Sequence, residues 1–130
     1  MEVGLVVGDA TAVRDHAAYD LVLVLETLHD LAHPAEALAA IRASLAEGGA
    51  GRRRGVADDF TAPGDEVERV MFAWSVTHCL PTQLVEQPTA ALGTAMRADT
   101  VRELAADARF ASVEVLPVEN DFFRLYRLNP

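Results

Sequence analysis

The segment Glu26-Thr27-Leu28-His29-Asp30-Leu31-Ala32-His33 gathers side chains able to do chemistry. An imidazole titrates at about 6.5 when unperturbed, so His29 suits general-base work. The competing role at that position is a polar residue that ends a strand and shapes a pocket. Asp30 can orient His29 or cap the next turn, and the cap is favoured. His29 and His33 stand four apart, as in some helical zinc sites. Pro34 follows at once and no third ligand has a clear claim, so no metal site is expected. Further along, His78 and Cys79 are adjacent. Neighbours on a helix point about 100° apart, which makes a poor nucleophile–base pair. A buried cysteine is the favoured reading there, with His78 and Trp74 as candidates to line a substrate pocket. Ser75 has no evident base or acid to complete a hydrolase triad.

These residues sit among recognisable elements. Val3 to Val7 reads as an apolar strand ended by Gly8-Asp9-Ala10-Thr11. Leu21 to Leu25 is a run of five branched aliphatics, the pattern of a parallel strand buried on both faces. Pro34 to Glu47 reads as a helix with Pro34 in its first turn and Leu38, Ile41 and Leu45 on one face. Gly48-Gly49 is its expected stop. A strand should follow, yet Gly51-Arg52-Arg53-Arg54-Gly55 stands there, with only Val56-Ala57 strand-like. Burying three guanidinium groups is costly. Either the strand is short and frayed, or the arginines sit in a solvated turn or touch phosphate, or the run records a local shift of reading frame.

Asp65 to about Thr77 forms a second helix, with Val67, Val70, Met71 and Trp74 sharing the expected core face. Leu80 to Thr94 holds Pro81, Pro88 and Gly93 and reads as a broken helix or loop. Thr100 to Ala108 forms a third helix, with Thr100 and Glu103 placed as a capping box. Val113 to Val118 and Phe122 to Leu128 read as two strands joined by a short link, Glu119-Asn120-Asp121, which implies an antiparallel hairpin. Strands alternating with helices, then a hairpin, predict an α/β sheet, mostly parallel with an antiparallel edge.

The chain has 130 residues, enough for one domain. Acidic residues outnumber basic ones 20 to 11, a formal charge of −9. That balance repels phosphate backbones and anionic lipid head groups, so neither nucleic acid nor membrane is an expected partner. Cys79 is the one cysteine. With no apolar run long enough to span a bilayer and no leader pattern, the expectation is a cytoplasmic protein.

Tyr19-Asp20-Leu21-Val22-Leu23-Val24-Leu25-Glu26-Thr27-Leu28-His29-Asp30-Leu31 resembles the fourth-strand motif of class I S-adenosylmethionine-dependent methyltransferases. Pro34, the Ala/Leu helix and Leu45-Ala46-Glu47-Gly48-Gly49 fit the same pattern, and Val7-Gly8-Asp9-Ala10 resembles the segment after that fold's third strand. The closing hairpin is similar to its sixth and seventh strands. Ser75-Val76-Thr77-His78-Cys79-Leu80, Leu92-Gly93-Thr94 and Phe110-Ala111-Ser112-Val113 resemble bacterial methyltransferases that carry a winged-helix domain.

The resemblance implies a partial Rossmann-like sheet, with residues 1–130 forming a single incomplete domain that lacks the first strand–helix–strand unit. It implies S-adenosylmethionine as cofactor and a small molecule as methyl acceptor. Asp9 would accept a hydrogen bond from the adenine amino group, and Ala10 would offer backbone contacts beside the ring. Glu26 would lie near the methionine part, and His29 matches the histidine that some O-methyltransferases use as base. The glycine-rich turn that holds the cofactor in that family has no counterpart between Met1 and Pro130. Two other readings therefore stand beside the enzyme: a non-catalytic interaction module that pairs with itself or another chain, and a gene fragment without cofactor binding. An unpaired parallel-strand edge makes homo-oligomerisation an expectation in either case.

Overall fold

The computed structural model describes residues 4–13, 16–52 and 62–130, with residues 47–52 described by their backbone alone. Its centre is a four-stranded sheet in the order β1-β2-β4-β3, built from β1 (Tyr19–Leu23), β2 (Leu45–Arg52), β3 (Ser112–Val115) and β4 (Tyr126–Asn129). β1 runs parallel to β2, while β4 is antiparallel to both β2 and β3. Three of the four strands therefore point one way, and β4 is inserted against them. This is the α/β arrangement with a C-terminal antiparallel hairpin that the alternation of elements predicts.

The aliphatic run of β1 does not end up buried on both faces. Val22 and Val24 pack on the core. Tyr19, Leu21, Leu23 and Leu25 alternate with them and remain 43%, 53%, 51% and 63% exposed. The reason is one-sided cover: the core that receives Val22 and Val24 is furnished by Leu38 of helix α1 (Pro34–Ser44) and Val101 and Ala105 of helix α4 (Ala98–Asp107). Among the described residues nothing comparable covers the opposite face. The expected first strand also fails to form. Val3 lies outside the described residues, and Leu5, Val6 and Val7 are almost wholly exposed and unpaired in any strand. Extended chain becomes sheet only through a partner's hydrogen bonds, and among the described residues β1 pairs with β2 alone.

Helix α1 begins at Pro34 as expected but ends at Ser44, not Glu47, and Leu45 turns directly into extended backbone. Gly48-Gly49 thus lies inside β2 rather than stopping a helix. Pairing on both sides explains how so poor a strand sequence is held. Gly51 is opposite Val22 on one side and Leu128 on the other, and ladder hydrogen bonds need no side chain. The strand is therefore placed earlier than Val56-Ala57 and reaches Arg52. Arg53, Arg54 and Val56-Ala57 fall outside the described residues.

Helix α2 (Glu66–Trp74), a π-helical turn (Ser75–Cys79) and α3 (Leu80–Gln83) make one continuous helical arm. The carboxylate of Asp65 caps it by accepting from the Glu68 N–H at 2.8 Å. Of the expected core face only Met71 is buried. Val70 and Trp74 are 43% and 51% exposed. The buried stripe is instead Glu68, Met71, Ser75, Cys79 and Gln83. Two causes act: Arg97 engages the Glu68 carboxylate, and the wider π turn shifts the stripe past a strict 3.6-residue period. After Gln83 the chain turns irregularly through residues 84–97, the expected break.

Helix α4 starts at Ala98, two residues before the expected Thr100. Thr100 therefore sits in the helix's first turn, not at its cap, and no side chain caps this end. The hairpin strands are shorter than expected and joined by residues 116–125, where Asn120 Oδ1 accepts from the N–H groups of Phe122 (3.0 Å) and Phe123 (2.9 Å). No helix among the described residues is long and apolar enough to cross a membrane.

Candidate functional site

The carboxyl end of β1 gathers most of the chemistry that the sequence singles out. Asp9 caps the 3-10 turn Ala10–Ala12. Its Oδ1 accepts from the Thr11 N–H at 2.7 Å and from the Thr11 hydroxyl at 2.8 Å. These two donors hold the Asp9 carboxyl below its ordinary range even though it is fully exposed. Asp9 and Ala10 line two adjoining clefts of ≈ 590 and ≈ 530 Å³, which share Gly8, Val22 and Leu23 with them. Both volumes fall in the range of small-molecule sites. The second cleft extends to Thr27 and Leu28, so it runs from the Asp9 turn to the end of β1.

Glu26 is exposed and takes a left-handed backbone, φ +58°. That conformation is uncommon for a residue with a Cβ, and such outliers concentrate at ligand sites. Glu26 lines a separate, smaller cavity of ≈ 320 Å³ with Val24, Asn120, Phe123 and Leu125. The loop that joins β3 to β4 therefore forms the far wall beside it.

His29 lies in a 3-10 turn, Leu28–Asp30, and is buried. Its Nε2 is 3.2 Å from Asp30 Oδ1, so Asp30 does orient the ring. Gln83 Nε2 donates to the His29 carbonyl oxygen, and Gln83 Oε1 accepts from the Gly93 N–H at 3.4 Å. Close by, the Thr94 hydroxyl donates to Cys79 Sγ at 2.8 Å, and the Thr94 N–H donates to Ser75 Oγ at 3.1 Å. Gly93 is required here. Its φ is +68°, and a Cβ would collide with Ser75 Oγ. Ser75, Cys79 and Gln83 thus form a buried polar seam that holds Gly93 and Thr94 against the arm, and Gln83 extends it to the His29 backbone.

His33 stands apart from His29's partners, 3.9 Å from a Glu36 oxygen and 4.0 Å from a Glu86 oxygen. His78 and Trp74 are exposed on the arm and line none of these cavities. Cys79 is buried, as the packed-cysteine reading expects. Sequence reasoning missed Asp30 and Cys79 as neighbours of one another, and missed Gln83 and Thr94 altogether. The available signal was polar residues four apart, at 75, 79 and 83, on a helix whose apolar residues point elsewhere.

The sequence matches no protein-family model and no curated protein. Solved structures do share the fold. PigF with SAH superposes with a TM-score of 0.66 at 17% identity, over 95% of this chain and 34% of that one. A Nostoc punctiforme protein described as an O-methyltransferase gives 0.67 at 19% identity, over 95% and 35%. The trans-methyltransferase CalH in complex with SAH gives 0.57 at 18% identity, over 92% and 33%. The chain has a methyltransferase-like α/β fold and spans about a third of the length of these structures.

Proposed function

We propose that this chain forms the acceptor-side portion of an S-adenosylmethionine-dependent methyltransferase domain that acts on a small molecule. The observation that carries the reading is the cleft joining the Asp9–Ala10 turn to the carboxyl end of β1, the place where open α/β sheets take ligands. Asp9 suits the adenine end: Thr11 holds it ionised through Oδ1, leaving Oδ2 to accept from an exocyclic amino group. Glu26 suits the ammonium of the methionine end, and His29 the acceptor's proton. S-adenosylmethionine supplies an electrophilic sulfonium methyl, and the protein's main contribution is in-line alignment. Self-association through the open edge of β1 belongs to the same proposal, as does the narrower kinship with winged-helix-associated methyltransferases carried by Ser75–Leu80 and Leu92–Thr94.

The test is calorimetric titration of the chain with S-adenosylhomocysteine. Saturable binding that Asp9→Ala weakens about 10- to 100-fold, the worth of a hydrogen bond to a charged group, supports the site. A folded chain that binds nothing overturns it and leaves the non-catalytic interaction module or the gene fragment.

A further inference from the structure

The geometry points to a zinc-class metal site formed by His29, Asp30 and Cys79. Their candidate ligand atoms, an imidazole nitrogen, a carboxylate oxygen and the thiol sulfur, all lie within 4.8 Å of one another. A tetrahedral Zn²⁺ holds sulfur at about 2.3 Å and nitrogen or oxygen at about 2.0–2.2 Å, which sets its ligand atoms roughly 3.3–3.7 Å apart. The His29–Asp30 pair, at 3.2 Å, already has that spacing, so any opening lies toward Cys79 and amounts to about 1 Å at most. Asp30, whose side chain is 42% exposed, has the most room to adjust as a metal draws the three together, whereas the side chain of His29 is only 6% exposed. One soft sulfur, one imidazole and one carboxylate suit zinc or cobalt better than magnesium or calcium, which take oxygen donors.

The surroundings are those of a supported site rather than a chance cluster. Gln83 fixes the backbone of His29. The Thr94 hydroxyl donates to Cys79 Sγ, a hydrogen bond that stabilises a thiolate. Cys79 closes a π-helical turn, and such turns recur at functional sites. On binding, the Cys79 thiol proton leaves to solvent, the sulfur becomes a thiolate ligand, and a water completes the fourth position. The metal then ties the turn after β1 to the helical arm. It also occupies a His29 nitrogen, so in a metal-loaded chain the imidazole is not free to act as the base. The observations behind this site are independent of the methyl-transfer reading, although both draw on His29.

The experiment is a Co²⁺ titration of the reduced 130-residue chain without S-adenosylhomocysteine. The expected result is a near-ultraviolet thiolate-to-cobalt charge-transfer band that saturates at one equivalent and is displaced by Zn²⁺. Cys79→Ala abolishes the band. Asp30→Asn, at an exposed position, keeps the fold and weakens affinity by about tenfold or more, since even outer-shell changes cost that much. His33→Gln leaves the titration unchanged. A folded wild-type chain without the band overturns the site, as does a band that survives Cys79→Ala. If Cys79→Ala does not fold, unaltered affinity in Asp30→Asn overturns it instead. Because the readout involves no cofactor, failure here leaves the S-adenosylhomocysteine result untouched.

Discussion

Helix α4 and the arm of α2, the π turn and α3 both press one stripe into the molecule, but the stripes differ in chemistry. α4 inserts Ala98, Val101 and Ala105 into a hydrocarbon core with Leu38, Tyr126 and Leu128. The arm inserts Glu68, Ser75, Cys79 and Gln83, with Met71 the one large apolar member. Hydrocarbon contact is non-directional and tolerates small rotations. A buried polar stripe must meet its partners at hydrogen-bond geometry or lose the full cost of desolvation. The arm is thus the more exactingly placed of the two, and it is the one that supports His29 and Cys79.

The largest way to break this contrast is at Glu68, which is 3% exposed and paired with Arg97. Arg97→Met leaves a buried carboxylate without its cation and should cost about 3–5 kcal/mol in urea unfolding. Adding Glu68→Leu should recover most of the loss, because two apolar groups replace the pair. A cost for Arg97→Met below about 1 kcal/mol, the size of a surface pair, would show that the arm is held by packing, as α4 is.

The same contrast explains what was legible in the sequence. Apolar periodicity places Leu38 and Ile41 of α1 on the core side because they are hydrophobic, and the short Glu119-Asn120-Asp121 link implies the hairpin. α4 was found too, though Ala98 rather than Thr100 begins it, since a capping box can be written in sequence without being used. Periodicity turns the arm inside out: it assigns Val70 and Trp74 to the core, and both are exposed. Periodicity finds the apolar face, and here the inward face is polar. β2 was displaced for a different reason. Its strand character lies in ladder partners on both sides, and its own residues, Leu45-Ala46-Glu47-Gly48-Gly49-Ala50-Gly51-Arg52, carry little of it. At the site, Asp9, Ala10, Glu26 and His29 were named through resemblance, and the cleft now joins the first two to the end of β1. Cys79 and Gln83 reach His29 from 50 and 54 residues downstream, a separation that no local pattern reveals.

A smaller effect sharpens the comparison at Gln83. Leucine has a similar volume, so a packing-held arm would treat Gln83→Leu as neutral. In this structure it strips the His29 carbonyl and the Gly93 N–H of their partner. The expected loss is about 1–3 kcal/mol, with weakened Co²⁺ affinity in the same variant. Unchanged stability would mean that water or another group replaces the amide.

The smallest expected effect concerns the apolar residues that neither stripe buries. Leu21 and Leu23 stand half exposed on the uncovered face of β1, and Trp74 half exposed on the arm. In a lone chain, Leu21→Ser, Leu23→Ser and Trp74→Ser should each shift stability by no more than about 0.5 kcal/mol, as surface substitutions do. Association separates the two places. Leu21 and Leu23 adjoin the edge where β1 has no strand partner among the described residues, so if the proposed self-association uses that edge, polar replacement there should lower it, measured by sedimentation at rising concentration. Trp74 lies on a helix whose backbone is already satisfied, and its replacement should leave association unchanged. If Trp74→Ser alone abolished self-association, the arm rather than the sheet edge would be the sticking surface. Its outward apolar face would then have a partner, just as its inward polar face does.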